Sequence, residues 1–145
     1  MNLTHRHRLR VIYAQTDRMN VVYYSRYYEF FEAARGAFMR RINLPYEQLE
    51  REGIFLPVVE SHCRHFLPAT YEDLLTIETR LDDEPKAKVK LSYRIYKEGV
   101  ERPIAEGYTI HSFVNKDLKR VEVPEAFLVC IRRYAGQVLE DEASP

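Results

Sequence analysis

The feature that most constrains the fold is one long helical pattern. From Ser25 onward, apolar residues recur at helical spacing for about five turns. The stripe comprises Tyr27, Phe31, Ala34, Phe38 and Ile42, widened by Phe30, Ala33 and Ala37. Ser25 is a candidate N-cap, and Asn43 followed by Pro45 marks the expected end of the helix. The small residues on this stripe permit close approach to a sheet, so we predict a central, buried helix.

Four strand patterns follow this helix and one precedes it. The first occupies residues 5 to 14, and the later ones occupy residues 54 to 67, 73 to 81, 88 to 97 and 102 to 115. The pattern at 88 to 97 alternates most clearly, as a strand with one buried face does. A short helix closed by Gly53 precedes the second strand, and a helix opened by Pro124 and then an acidic tail end the chain.

This order of elements predicts an α+β fold in which a five-stranded antiparallel sheet packs against one long helix. A chain of 145 residues has the size of one compact domain, so we expect residues 1 to 145 to form a single domain. Five strands and one helix leave a sheet edge and part of one face uncovered. We therefore expect the protein to dimerise.

The composition argues against several classes of function. The 22 basic and 22 acidic residues balance, and the only dense basic run is the short HRHRLR near the N-terminus, so nucleic acid is not an expected partner. No segment has the apolar length of a signal peptide or a membrane span, and Cys63 and Cys130 are too few for a disulfide framework. We expect a soluble, reduced, cytoplasmic protein without a membrane partner.

The sequence motifs of common cofactor and metal sites are absent. The chain has no G-x-S-x-G, G-x-G-x-x-G or G-x-x-x-x-G-K motif and no pair of C-x-x-C motifs. His5 and His7 share a strand face, as do Cys63 and His65, but such pairs are more often ordinary strand residues than metal ligands. We predict neither a metal nor a cofactor.

Asp17 is the main candidate for chemistry. In the stretch QTDRMN, an aspartate most often caps a turn by accepting hydrogen bonds from nearby amides. The long helix begins soon afterwards, so the amides around Tyr24 and Ser25 lie at its positive end, where they can stabilise an oxyanion. A carboxylate facing such amides forms a minimal acyl-transfer site. Thioesters suit it best, because a thiolate leaves without much assistance.

The stretch YAQTDRMNVVYYSRYYEFFEAAR resembles the signature of the 4-hydroxybenzoyl-CoA thioesterase family of hotdog-fold proteins. That signature has an aspartate loop, then G-V-V-Y and a His or Tyr, then a helix reading Y-x-x-x-F-E-x-A-R. The stretch FLPVVESHCRHFLPATYEDLLTIETRL is similar to the family's second and third strands. The resemblance implies a hotdog fold, in which a curved five-stranded antiparallel sheet wraps around one long central helix.

The resemblance also implies roles for individual residues. Asp17 falls on the catalytic carboxylate, as nucleophile or general base, and the amide of Tyr24 would polarise the thioester carbonyl. Asn20 replaces the usual glycine of G-V-V-Y, and asparagine tolerates the left-handed backbone that glycine would adopt. Gln15 stands where an acidic residue is common. The expected substrate-binding residues are Asn20, Val22, Tyr23 and Ser25, with Lys86, Lys88 and Lys90 near the nucleotide of coenzyme A.

Several alternatives remain open in the sequence. The thioester carrier is either coenzyme A or an acyl carrier protein, and the protein could instead bind acyl thioesters without cleaving them. In other hotdog branches the carboxylate lies on the helix, which makes Glu29 and Glu32 rival candidates, although helix-bracing pairs Arg26 to Glu29 and Glu32 to Arg35 are the simpler interpretation. The acyl group is open, and the resemblance implies a homodimer or a homotetramer.

Overall fold

The computed structural model describes residues 1–142 and places six strands in one sheet. The elements in chain order are β1 (Leu3–Arg10), α1 (Arg26–Arg41), α2 (Tyr46–Arg51), β2 (Val58–His65), β3 (Leu74–Leu81), β4 (Lys88–Lys97), β5 (Ala105–Ser112), α3 (Glu125–Arg133) and β6 (Val138–Glu140). The strand order across the sheet is β2-β5-β4-β3-β1-β6. The predicted α+β class is therefore confirmed.

The predicted five-stranded antiparallel sheet is wrong in its strand count and in one pairing. The sixth strand, β6, comes from the segment predicted as an acidic tail and pairs in parallel with β1. Its three residues are too few for a period of two to be visible in the sequence. Only Leu139 of β6 is buried, and it is this contact with the core that orders the segment. Residues 143–145 of the tail lie outside the described part of the chain.

Most predicted element boundaries are close to the observed ones. β4 occupies the predicted residues 88 to 97. β1 begins two residues before the predicted start and ends at Arg10, whereas β2 and β5 are shorter than predicted because apolar residues continue into the adjoining loops. Asn43 and Gly53 adopt left-handed φ angles of 66° and 77°, which end α1 and α2 as predicted. Ser25 immediately precedes α1, but its side chain makes no capping hydrogen bond.

Helix α1 packs one face against the sheet. Its buried residues are Tyr27, Phe30, Phe31, Ala34, Ala37, Phe38 and Met39. The ring of Phe31 stacks on that of Tyr93 from β4, with centroids 4.4 Å apart and planes 10° from parallel. Tyr28, Glu29, Glu32 and Ala33 on the opposite face are exposed. The prediction of a buried helix is therefore right for one face only.

A chain of hydrogen bonds crosses the core from α1 to β5. Arg35 donates to the hydroxyl of Tyr93 (3.3 Å), which lies 2.6 Å from the hydroxyl of Thr109. The hydroxyl of Thr109 lies 2.8 Å from Nε2 of His111, whose Nδ1 lies 3.0 Å from the carbonyl oxygen of Leu56. A carbonyl only accepts and an arginine only donates, so Nδ1 of His111 carries the proton and Nε2 accepts. Each hydroxyl then donates once and accepts once along the chain.

The neutral state of His111 predicts acid sensitivity. Burial lowers the pKa of His111 to about 4. As the pH falls, this ring takes up a proton in the unfolded chain before it does so in the folded protein. Protonation therefore favours the unfolded chain, and the folded protein loses stability as the pH falls from the unfolded pKa of about 6.5 toward 4. We expect the unfolding free energy to drop by roughly 2 kcal/mol between pH 7 and pH 5 from this residue.

Urea unfolding at the two pH values measures this effect. The variant His111→Gln should be less stable at pH 7 but should lose about 2 kcal/mol less than the wild type on acidification. Burial also lowers the pKa of His5. His5 therefore lowers the stability of the wild type and of His111→Gln alike on acidification. Only the difference between the two proteins in the unfolding free energy lost from pH 7 to pH 5 tests His111.

Candidate active site

A cleft of about 370 Å³ lies between the loop after β1, the start of α1 and the end of β2. Its lining residues are Asp17, Val21, Val22, Tyr23, Tyr24, Tyr27, His65, Phe66, Leu67 and Pro68. The cleft is aromatic on one side and apolar on the other, with Asp17 and His65 as its titratable groups besides the tyrosines. Four of the predicted site residues, Asp17, Val22, Tyr23 and Tyr24, therefore lie together.

One carboxylate oxygen of Asp17 builds the loop. Oδ1 accepts hydrogen bonds from the amides of Met19 (2.9 Å) and Val21 (3.4 Å), which is the turn-capping role common for aspartate. Asn20 completes the turn with a left-handed φ of 64°. The second oxygen, Oδ2, makes no hydrogen bond within residues 1–142. Loop geometry therefore uses only half of this carboxylate.

The loop at Asn115 has the same hydrogen-bond pattern as the loop at Asp17 and shows that this turn forms without a charged side chain. Between β5 and α3, Oδ1 of Asn115 accepts the amides of Asp117 (2.9 Å) and Lys119 (3.1 Å), two and four residues ahead. Leu118 holds the left-handed position, with a φ of 61°. An amide side chain is therefore sufficient to build this turn. The negative charge at Asp17 is left without a structural reason.

Two backbone amides at the start of α1 are unused. The amide of Tyr23 donates to the carbonyl of Gln15 and that of Arg26 to the carbonyl of Tyr23. Those of Tyr24 and Ser25 donate to no acceptor within residues 1–142. Such free amides at the positive end of a helix stabilise developing negative charge.

The phenol of Tyr23 beside Asp17 stays protonated at neutral pH. The ring of Tyr24 is 63% exposed and lies 4.6 Å from the ring of Tyr23. The neighbouring hydroxyl of Tyr24 raises the pKa of Tyr23, and the charge of Asp17 adds a smaller effect in the same direction. The hydroxyl of Tyr23 is therefore available as a hydrogen-bond donor.

Asn20 occupies the position that the family signature assigns to glycine, and its left-handed φ of 64° is the conformation that glycine adopts freely. The loop conformation expected for this substitution is thus confirmed. We expect Asn20→Gly to stabilise the protein slightly, by less than about 1 kcal/mol, because the left-handed backbone costs asparagine some energy. Thermal unfolding tests this, with Asn43→Gly as a matched control at another left-handed asparagine. A clear loss of stability in Asn20→Gly would show that the side chain itself is required.

The sequence did not predict the wall formed by the end of β2. His65 packs edge-on against Tyr27, with ring centroids 4.6 Å apart, and burial lowers its pKa. Phe66 and Pro68 continue this wall. The sequence suggests His65 only as a possible metal ligand beside Cys63. The signal that could have identified it is topological: β2 pairs with β5, and its last residue comes beside the start of α1.

The three predicted lysines lie far from the cleft within one chain. Lys88 begins β4, while Lys97 at its other end reaches the carbonyl of Pro68 in the cleft wall at 3.3 Å. At ~3.3 Å per residue, the two ends of the strand are roughly 30 Å apart. Lys86, Lys88 and Lys90 line a surface pocket with Asp82, Asp83 and Glu84. Ser25 and Asn20 are likewise not lining residues of the cleft.

The rival carboxylates lie elsewhere. Glu29 pairs with Arg26 at 2.9 Å, as predicted, but Glu32 forms no ion pair within residues 1–142 because Arg35 turns inward to Tyr93. Both glutamates line a second cavity, between α1 and α2. Within residues 1–142, no group of three or more His, Cys, Asp or Glu side chains is arranged to hold a metal ion. No helix in the same range is long and apolar enough to cross a bilayer.

Comparison with known proteins identifies the family. The model of the Thioesterase-like superfamily matches residues 11–130. The chain belongs to this superfamily. The predicted relationship to hotdog-fold acyl-CoA thioesterases is thereby confirmed, and the matched region contains the whole cleft.

Individual proteins are similar to this chain over 61% to 92% of its length. The 1,4-dihydroxy-2-naphthoyl-CoA hydrolase of Picosynechococcus sp. is 32% identical over 107 residues, covering 70% of this chain and 73% of the relative. The acyl-CoA thioesterase YbgC of Haemophilus influenzae is 32% identical over 90 residues, covering 61% and 66%. The crystal structure of a hypothetical protein from Thermus thermophilus aligns with a TM-score of 0.83 at 32% identity, covering 92% of this chain and 99% of the other. These relatives place the chain among thioester hydrolases of the hotdog fold.

Proposed function

We propose that this thioesterase-superfamily protein hydrolyses acyl-CoA thioesters and that Asp17 is its catalytic carboxylate. The observation that carries the proposal is the free oxygen of Asp17 in an aromatic cleft beside the unused amides of Tyr24 and Ser25. The Asn115 loop supports it, because the same turn forms there without a charge. Family membership supports thioester hydrolysis as the activity.

The proposed reaction uses each of these groups once. The amides of Tyr24 and Ser25 hold the carbonyl oxygen as it becomes negative. Asp17 removes a proton from water, whose oxygen bonds to the acyl carbon, and the carbon–sulfur bond then breaks. The departing thiolate takes the proton back, so the products are the acid and the free thiol. In the alternative route Asp17 attacks the carbonyl itself and water cleaves the resulting anhydride.

The proposed substrate is an aromatic or short to medium acyl-CoA. Tyr23, Tyr24 and Phe66 line the cleft with exposed aromatic surface, and its volume is about 370 Å³. A relative named for hydrolysis of 1,4-dihydroxy-2-naphthoyl-CoA supports an aromatic acyl group. A homodimer or homotetramer in the cytoplasm is part of this proposal. All residues of the edge strand β2 except Cys63 are exposed, so a second copy could pair there.

The lysine prediction depends on that assembly. Lys86, Lys88 and Lys90 lie too far from Asp17 of the same chain to contact a substrate bound there. They would instead contact the nucleotide of a coenzyme A thioester bound in the cleft of a second copy. The alternative in which an acyl carrier protein carries the thioester also remains a proposal, because the reaction at the thioester bond would be the same. The non-catalytic alternative rests on the departures from the family signature at Asn20 and Gln15, and the left-handed loop conformation at Asn20 weakens only the first of these grounds.

Release of free thiol from a panel of aromatic, short, medium and long-chain acyl-CoAs tests the proposal. Turnover of an aromatic or short to medium substrate, with a clear preference along the panel, is the expected result. A protein that releases thiol only from acyl carrier protein would shift the proposal to that carrier. Binding without thiol release from either carrier would overturn the catalytic function.

A further inference from the structure

Five arginines within residues 1–142 are half-buried, and one of them differs from the rest. Arg6, Arg26 and Arg80 bind carboxylates, and Arg41 donates to the backbone carbonyl of Glu140. Arg35 has no carboxylate within 4.0 Å among the described residues, and its hydrogen bond goes to the neutral hydroxyl of Tyr93. A guanidinium that is partly withdrawn from water without a counter-charge is costly to maintain.

The core cannot supply the missing charge. Burial raises the pKa of Tyr93, so its hydroxyl stays protonated, and that proton is donated to Thr109. The rest of the chain, through Thr109 to His111 and Leu56, is also neutral. These bonds use one edge of the Arg35 guanidinium and fix its position. The hydroxyl of Tyr46 also interacts with this guanidinium, so three of its five N–H donors remain for another partner.

Arg35 opens into the second cavity, which lies between α1 and α2 and has a volume of about 660 Å³. Ala33, Gly36, Tyr46 and Leu56 contribute small or apolar surface to its lining. A cavity of this size accommodates a small organic molecule. It shares no lining residue with the cleft at Asp17.

The other charges of the cavity restrict the ligand. Glu29 is neutralised by Arg26 at 2.9 Å. Glu32, Glu50 and Arg40 also line the cavity and make no ion pair within residues 1–142, so two negative charges accompany the two arginines. A ligand with several negative charges would be repelled by the glutamates, whereas a single carboxylate can pair with the fork of Arg35.

We propose that this cavity binds a small molecule carrying one carboxylate group, with Arg35 as its anchor. The planar fork of the guanidinium matches a carboxylate in two parallel hydrogen bonds. The apolar lining receives the body of the molecule. The site does not depend on the thioesterase activity proposed above, since none of its residues lies in the cleft at Asp17.

Isothermal titration calorimetry with benzoate tests this site, with the uncharged isostere benzamide and inorganic phosphate as comparison probes. We expect benzoate to bind once per chain and at least about tenfold more tightly than either comparison probe. Arg35→Met should lose this binding, whereas Arg51→Gln, at an exposed arginine of α2 outside the cavity lining, should change the affinity less than about twofold. Equal affinity for benzoate and benzamide, or no binding of benzoate by the wild type, would overturn the proposal.

A second variant keeps the test decisive if Arg35→Met does not fold. Glu32→Gln removes a negative charge from the cavity without touching the buried hydrogen-bond chain. It should raise the affinity for benzoate and reduce the discrimination against phosphate. Unchanged affinities for both probes in Glu32→Gln would show that benzoate binds elsewhere. Arg35→Met should fold, because Tyr93 keeps its hydrogen bond to Thr109.

Discussion

Asp17→Asn is expected to reduce thioester hydrolysis by roughly 10²- to 10⁴-fold while leaving the fold and the melting temperature unchanged. The amide oxygen of asparagine can accept the same two bonds that Oδ1 of Asp17 accepts from Met19 and Val21. The substitution therefore removes the charge but keeps the loop. Steady-state thiol release with the preferred acyl-CoA, together with thermal unfolding, measures both effects.

The Asn115 loop provides the matched control for this experiment. Asn115→Asp introduces a carboxylate into a turn of the same design that is remote from the cleft, and we expect no change in turnover. Asp17→Ala should remove both the charge and the loop bonds, so it should lose stability as well as activity. If Asp17→Asn retained full turnover, the catalytic carboxylate would have to be sought at Glu29 or Glu32.

Gly107→Ala is expected to destabilise the protein by roughly 3 kcal/mol. Gly107 lies opposite Tyr93 in the β4–β5 pairing, beneath the ring of Phe31. A Cβ atom here would lie 2.7 Å from two ring carbons of Phe31 and would also clash with the backbone carbonyl of His62. Phe31 is stacked on Tyr93 and His62 lies in a paired strand, so neither can move freely. Chemical denaturation measures the loss, which corresponds to about 10 °C in melting temperature.

Gly36→Ala is the matched control, because this glycine lies inside α1. The nearest atom to its added Cβ is the flexible end of Arg40, at 3.3 Å. Alanine favours the helix, so we expect a gain of up to about 1 kcal/mol. If Gly36→Ala lost as much stability as Gly107→Ala, the close packing of Phe31 over Gly107 would not be the cause of the loss.

Local patterns predicted the elements correctly where they were long. The stripe of α1 and the alternation of β4 each extend over several periods, and both elements appear where predicted. The brief strand β6 has no such signal, since its pairing with β1 depends on residues more than a hundred positions away. Ser25 occupies the residue before α1, yet its backbone is already helical (φ −66°, ψ −22°), and its side chain does not cap the helix.

The sequence by itself determined the family and the likeness of the Asp17 loop to a thioesterase site, because both are contiguous stretches whose backbone conformation is local. Even the left-handed turn at Asn20 followed from residue type. Tertiary structure alone decided that His65 and Phe66 face Asp17, and that Lys86, Lys88 and Lys90 lie at the far end of β4. It also decided that Arg35 turns toward Tyr93 and leaves Glu32 unpaired. These contacts join residues from separate strands and helices, so they depend on sheet order and packing, which no local pattern encodes.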